Sequence, residues 1–186
     1  ARIGDLYVEG EIISTGSDVG GAIGKIERNS SGNLIFVIEQ IGSNVSVNGV
    51  DKVGGIIGSL NTSGFSTILE ITDLTSDSNV TGISSVGGVI GYSLLNVNHL
   101  IFEDTLSTSI VASNDYAGGI VGNLAISCYC NPITSHISNL VSESTVMSNE
   151  SYAGGLFGRL SAWEGELELT NNYSTGSVTA NDSQLS

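Results

Sequence analysis

The sequence predicts an all-β fold: a β-solenoid (β-helix) of about five coils, with roughly three short strands per coil and a repeat of 31–36 residues. Three observations carry this prediction. A glycine-rich block recurs five times, β-branched and apolar residues alternate with polar ones between the blocks, and clusters of Asn, Ser and Gly mark the corners. Residues 1–186 are therefore interpreted as a single β-solenoid repeat domain.

The repeated block reads Gly-Gly-apolar-apolar-Gly and follows Val or Ala in every copy. Successive blocks begin 34, 33, 31 and 36 residues apart. A phosphate-binding glycine loop would need a following helix and a Lys or Ser/Thr at a fixed offset, so five copies indicate a structural role instead. We expect the chain to turn, or to approach its neighbouring coil closely, at these glycines. The block glycines are Gly20, Gly21, Gly24, Gly54, Gly55, Gly58, Gly87, Gly88, Gly91, Gly118, Gly119, Gly122, Gly154, Gly155 and Gly158.

Between the blocks, an apolar run such as 34–38 or 67–71 precedes a short alternating stretch such as 45–50 or 80–83. A helix is the competing interpretation, but an interior Gly costs about 0.5–1 kcal/mol relative to Ala, and each block carries three. Alternation with period two and β-branched residues favour strands. A single coil cannot bury its inner face alone, so coils must stack about 4.8 Å apart, and five give a rod of roughly 24 Å.

The blocks and the segments between them resemble the GLUG-repeat family. The most similar segments are 116–122, 152–158 and 173–179, the last reading Tyr-Ser-Thr-Gly-Ser-Val-Thr. The first two blocks depart from the family pattern, with Asp18 and Lys52 where an aromatic residue is common. The resemblance covers essentially the whole chain. It implies a secreted or surface-attached protein, such as an adhesin, whose repeats form stalk or binding architecture and carry no catalytic residues.

The charge balance limits the classes of molecule that the chain is expected to bind. Acidic residues outnumber basic ones 19 to 5, which gives a net charge of −14. Such a surface repels nucleic-acid phosphates and anionic lipid headgroups, and no run of 18 apolar residues exists, so we expect no nucleic-acid partner and no membrane insertion. Charged residues make up only 13% of the chain, which suits an extracellular or cell-surface location. A weak Ca²⁺ site is one explanation of the acidity, and simple solubility is the favoured one.

The two ends of the chain share one phase of the repeat. Tyr7 aligns with Tyr173, Ile12 with Val178, and Val19 with Leu185, so the chain spans five whole periods. The lack of an initiator Met and of a signal-peptide pattern indicates a processed chain or a segment of a longer one. The expected function is therefore an extracellular structural protein, not an enzyme. It is either a filament or fibril subunit that associates end to end, or an adhesin stalk continued by neighbouring repeats of the same chain.

Two sets of residues are candidates for covalent modification. Cys128 and Cys130 flank Tyr129 at an enlarged corner, where a local or intermolecular disulfide and two reduced thiols are equally compatible with the spacing. Two thiols are too few for a zinc site without partners, and His99 and His136 lack a matching spacing. Candidate N-glycosylation sites in Asn-X-Ser/Thr sequons are Asn29, Asn44, Asn61, Asn79, Asn149, Asn172 and Asn181.

Acidic and aromatic residues suggest two alternatives. Glu164, Glu166 and Glu168 share one face of a strand, so a carboxylate ladder for Ca²⁺ competes with a solvated acidic face, and no other cofactor is expected. Adjacent residues 103 and 104 are the nearest approach to a catalytic pair in a polysaccharide-processing enzyme, but on a regular strand they would point to opposite faces. A carbohydrate- or surface-binding module is the leading alternative function, with the aromatic residues Tyr116, Tyr152 and Trp163.

Overall fold

The computed structural model describes residues 1–29, 34–63, 67–127, 134–163 and 165–181. The chain winds through three parallel sheets, here called A, B and C, visiting each once per coil before it rises to the next coil. The predicted all-β solenoid is confirmed: the described residues contain no helix, and the stack has about five turns at a spacing of about 33 residues.

Sheet A contains the longest strands, and in four of its six layers a bend divides the strand. Its strands are β1 (Arg2–Ile13), β4 (Leu34–Asn48), β7 (Thr67–Ser76), β8 (Asn79–Thr81), β11 (His99–Ser107), β12 (Ile110–Ser113), β15 (Thr134–Ser142), β16 (Thr145–Ser148), β19 (Glu166–Thr170), β20 (Tyr173–Ser174) and β21 (Val178–Ala180). Each strand of sheet B ends at the first glycine of a block. These strands are β2 (Ser17–Gly20), β5 (Asp51–Gly54), β9 (Val86–Gly87), β13 (Tyr116–Gly118) and β17 (Tyr152–Gly154). Sheet C follows and contains β3 (Ile23–Asn29), β6 (Ile57–Ser63), β10 (Ile90–Asn96), β14 (Val121–Ser127) and β18 (Phe157–Trp163).

The register is constant from the first coil to the last, so equivalent residues form columns along the rod. One column of β-branched residues runs through all six layers of sheet A: Ile12, Val47, Val80, Val111, Val146 and Val178. A second column begins at Tyr7 and ends at Tyr173. The predicted alignment of the two chain ends is thus confirmed for both pairs, whereas Leu185 lies outside the described residues.

The core is divided into two lobes. The larger lobe lies between sheet C and the first half of sheet A and includes Ile38, Leu69 and Phe102. The smaller lobe lies between sheet B and the second half of sheet A and consists mainly of valines. Apolar residues before each block pack in the small lobe, and those after it pack in the large lobe. The two lobes are separate because the double glycine of each block contacts the bend of sheet A between the lobes.

The block glycines are required by close approach, because none of them has a positive φ. A Cβ on the second glycine, for example Gly88, would fall under 3.0 Å from the carbonyl oxygen of the next coil's second glycine, Gly119, and from the Oγ of Ser107. A Cβ on the third glycine, for example Gly91, would fall 2.5 Å from the backbone nitrogen of Val53 in the preceding coil. Both predicted features occur, since the chain also bends at the second glycine of every block as it passes from sheet B to sheet C, but close approach is what requires glycine there.

A bend in sheet A is built from residues with left-handed backbone conformation. One such residue occurs in every layer at the same register position, with φ between 52° and 58°. Asp and Asn tolerate this conformation better than other residues with a side chain, and five of the six members are of these types. The column consists of Asp5, Gln40, Asp73, Asp104, Asn139 and Asn171.

Candidate functional site

Two columns of buried serines line the second bend of sheet A, opposite the double glycines. Ser43, Ser76, Ser107 and Ser142 form the first column, and Ser78, Ser109 and Ser144 the second. Their hydroxyls bond to one another between coils, as from Ser109 Oγ to Ser76 Oγ at 3.2 Å and from Ser144 Oγ to Ser107 Oγ at 3.0 Å. Because most of these hydroxyls bond to a neighbouring coil, and Ser142 Oγ accepts from Ser144 N in its own coil, the ladder satisfies polar groups inside the rod and links its layers.

Three of the five basic residues lie on the surface shared by sheets B and C, next to tyrosines. Lys52 Nζ lies 5.4 Å from the ring centre of Tyr92, and the guanidinium of Arg159 lies 5.8 Å from that of Tyr116. Lys25 occupies the same column of sheet C as Tyr92 and Arg159. The cations look scattered in the sequence because the three cations and the two tyrosines come from five different coils.

The predicted aromatic residues are only partly brought together. Tyr116 and Tyr152 stack on each other, with ring centres 5.3 Å apart and planes 6° apart, whereas Trp163 belongs to a different column at the far end of sheet C. A sugar ring packs against the face of an aromatic ring. Each tyrosine therefore uses one face of its ring for the other, so the pair forms a surface ladder between two coils, and Tyr152 in the last layer of sheet B remains 58% exposed.

The sequons fall at different depths. The asparagines at 29, 44, 79, 149 and 181 are exposed, and those at 61 and 172 are half-buried. Asn172 takes the place of a strand residue: Leu140 N donates to its Oδ1 at 2.9 Å, and its Nδ2 donates to Ile137 O at 2.8 Å. A glycan attaches at Nδ2, so this hydrogen bond disfavours attachment at Asn172 compared with the exposed sites.

The acidic candidates that the structure describes lie on the outer face of sheet A. Glu166 and Glu168 share the outer face of sheet A as predicted, and Glu168 pairs with His136 at 3.2 Å. Glu103 and Asp104 both point outward because of the left-handed bend at Asp104, so the expectation of opposite faces is wrong for this pair. No group of three or more His, Cys, Asp or Glu residues that could hold a metal ion occurs within the described ranges. Cys128, Cys130 and Glu164 lie outside those ranges.

Two shallow furrows run along the outer face of sheet A, one on each side of a polar ridge formed by Asn44, Asp77 and Thr108. The first, the tyrosine furrow, has a volume of about 220 Å³ and is bounded by Tyr7 and Leu106. The second, the amide furrow, has a volume of about 340 Å³; its other lining residues include Ser46, Asn79 and Ile110. The ridge thus has one residue from each of three layers, and the two furrows follow the rod axis on either side of it.

Tyr7 lines the tyrosine furrow by reaching across the next coil. Its neighbour in the column is Gly42, where an added Cβ would fall 2.7 Å from Tyr7 Cδ2 and 3.3 Å from Thr75 Oγ1. The tyrosine therefore lies over the glycine and approaches the third layer. Its pKa is raised above the usual value, first by a hydrogen bond to the Glu9 carboxylate, then by burial and the negative charges of Glu9 and Asp77. No feature of the sequence around Tyr7 identified it as a site residue, because the space comes from Gly42, a coil away.

Searches for similar proteins found no matching family model, no matching curated protein and no matching solved structure. In the part of the chain that the structure describes, no helix has the length and apolar character needed to cross a membrane.

Proposed function

We propose that this chain is a structural segment of an extracellular or cell-surface protein built from GLUG-like repeats. It would serve as a filament or fibril subunit or as part of an adhesin stalk. The observation that supports this proposal is the unbroken register of sheet A through six layers, from Tyr7 to Tyr173 and from Ile12 to Val178. A stack of equivalent layers transmits its shape along its axis, as a stalk or filament requires.

The terminal layers leave apolar side chains and strand edges for a further layer to cover. Leu6 in the first layer and Leu169 and Val178 in the last are exposed, although the equivalent column positions of the inner layers are largely apolar and buried. Parallel strand edges are templates for further pairing. A second copy and a neighbouring repeat of the same chain both supply such a layer, and these are the two forms of the proposal.

Electron microscopy and sedimentation over a concentration series distinguish the two forms. A filament subunit should form rods that lengthen with concentration, whereas a stalk segment should stay discrete. Val178→Lys places a charge in the last layer and should prevent end-to-end growth, because a Lys in an edge strand opposes pairing. The matched control is Ile110→Lys, which is equally exposed but lies on the side of the rod.

Two results would contradict the proposal. Assemblies that dissociate with Ile110→Lys but persist with Val178→Lys would show lateral association in place of stacking. Turnover of a polysaccharide by the purified chain would refute a purely structural role and favour the enzymatic alternative.

A further inference from the structure

The polar ridge of Asn44, Asp77 and Thr108 offers hydrogen-bonding groups that the fold itself leaves unused. The side chains of Asn44 and Asn79 are exposed and have no hydrogen-bond partner among the described residues. Asp77 accepts one hydrogen bond, from Thr108 Oγ1 at 3.0 Å, and its other oxygen faces solvent. Each primary amide both donates and accepts, as a sugar hydroxyl does, so the two sets of groups are complementary.

The same furrows supply apolar contact. The Tyr7 ring is 66% exposed although it lies over Gly42, so most of its surface is free. Leu106 lies in the same column three layers further along and is also exposed, and Ile110 lines the opposite side of the ridge. An aromatic ring and aliphatic side chains beside a few free polar groups are the usual composition of a small-molecule site. Unlike the Tyr116–Tyr152 pair, Tyr7 has no stacking partner among the described residues.

We propose that this ridge and its two furrows bind an uncharged saccharide chain that lies along the rod axis. The Tyr7 ring packs against one sugar ring, and the amides of Asn44 and Asn79 bond to hydroxyls of its neighbours. The carboxylates of Glu9 and Asp77, on a chain with a net charge of −14, exclude anionic sugars by repulsion. This site is independent of the structural role, since a stalk and a filament both display it on their sides.

The geometry favours a chain over a single sugar. The lining residues come from four successive layers, from Tyr7 in the first to Thr108 and Ile110 in the fourth. At about 4.8 Å per layer the site is about 14 Å long, and both furrows are shallow. Affinity should therefore rise from a monosaccharide to a chain of three sugars and change little beyond that length.

The test uses the 186-residue chain made in a host without N-glycosylation, so that Asn44 and Asn79 stay unmodified. A broad array of glycans identifies bound saccharides. Titration calorimetry then compares oligomers of the neutral sugar with a galacturonate oligomer of equal length. Tyr7→Ala should weaken binding of the neutral oligomer about three- to tenfold, the effect of losing one aromatic contact. Asn79→Ala, on an exposed side chain, should weaken it without affecting the fold.

The matched control is Tyr173→Ala, which removes a tyrosine of the same column, 53% exposed, at the opposite end of the rod. It should leave the affinity unchanged, and circular dichroism should show that all variants remain folded. Three results would overturn the proposal: no uncharged glycan bound on the array, equal or tighter binding of the galacturonate oligomer, or equal effects of the Tyr7 and Tyr173 substitutions. None of these results bears on end-to-end stacking, which is measured separately.

Discussion

The substitution Gly88→Ala tests whether the glycine blocks exist to allow close packing of coils. Gly88 lies in the third block, with complete coils on both sides. A methyl group there would fall under 3.0 Å from the carbonyl oxygen of Gly119 and from Ser107 Oγ. The serine can rotate away, but the carbonyl belongs to the backbone of the next coil, so that coil must move.

The cost follows from the bonds that such a movement disturbs. Gly88 N donates to Gly118 O at 3.1 Å and Val89 N donates to Ile120 O at 2.9 Å, and both bonds join the coils that would separate. Two hydrogen bonds contribute about 1–3 kcal/mol, and overpacking adds about 1–3 kcal/mol. We therefore expect Gly88→Ala to lower the free energy of unfolding by about 2–6 kcal/mol, a large part of a typical domain's total stability.

Urea unfolding followed by circular dichroism measures this loss. The matched control is Gly16→Ala, where an added Cβ meets only Ser14 Oγ at 3.4 Å and φ is not positive. Adding Ser107→Ala to Gly88→Ala should recover only part of the loss, because the carbonyl contact remains. If Gly88→Ala and Gly16→Ala differ by less than about 0.5 kcal/mol, or if Ser107→Ala restores full stability, the close-approach explanation is refuted.

Three further predictions concern the serine ladder, the tyrosine stack and the Tyr7 site. Ser109→Ala should cost about 1–2 kcal/mol in urea unfolding, because it removes the hydroxyl that accepts from the buried Ser78 amide and donates to Ser76; a neutral effect would remove the ladder from the stability argument. A double-mutant cycle of Tyr116→Ala and Tyr152→Ala should give a coupling energy of about 0.5–1.5 kcal/mol, and additive effects would show that the stacked geometry contributes nothing. In a spectroscopic titration, the tyrosine signal that disappears in Tyr7→Phe should have a pKa above 10.0, and Glu9→Gln should lower that pKa. The raised pKa means that the fold stabilises the neutral phenol of Tyr7. Any contribution of Tyr7 to folding is therefore present at low pH and is lost as pH rises through that pKa.

Much of the fold could be predicted because the repeat can be recognised directly in the amino-acid sequence. The five blocks set the number of coils, and the alternating segments set the strands, so the alignments of Tyr7 with Tyr173 and Ile12 with Val178 were both correct. The left-handed column was not predicted, although five of its six members are Asp or Asn. Gln40 shows why: it adopts the left-handed conformation although Gln is not a residue type that favours it. The stacked neighbouring layers impose the conformation there, so the local sequence gives no signal.

The candidate site was harder to predict than the fold, because its residues come from different coils and carry no motif. Tyr7 is useful only because Gly42 lies under it, and those two residues are 35 positions apart. Of the three aromatic residues chosen from the sequence, Tyr116 and Tyr152 lie together and Trp163 lies apart, and the mutual stacking of the two tyrosines could not be read from composition. Side-chain geometry between coils, and not residue type, separates a ladder from a binding surface.

The unequal repeat lengths have one main origin in the structure. From the first glycine of a block to the end of the strand in sheet C the chain has the same length in every coil, as from Gly20 to Asn29 and from Gly154 to Trp163. The corner from sheet C to sheet A varies instead, from three positions between Asn96 and His99 to seven between Ser127 and Thr134.

A change of length at that corner leaves the ladder intact, whereas one extra residue inside a strand would turn every following side chain to the opposite face. The 36-residue repeat carries one additional residue between Ser148 and Tyr152, again at a corner between strands. Stacking therefore restricts the chain most strongly where columns form and least at the corners. The spacing of 31–36 residues reflects this difference, and the constant register is maintained by the segments whose length does not vary.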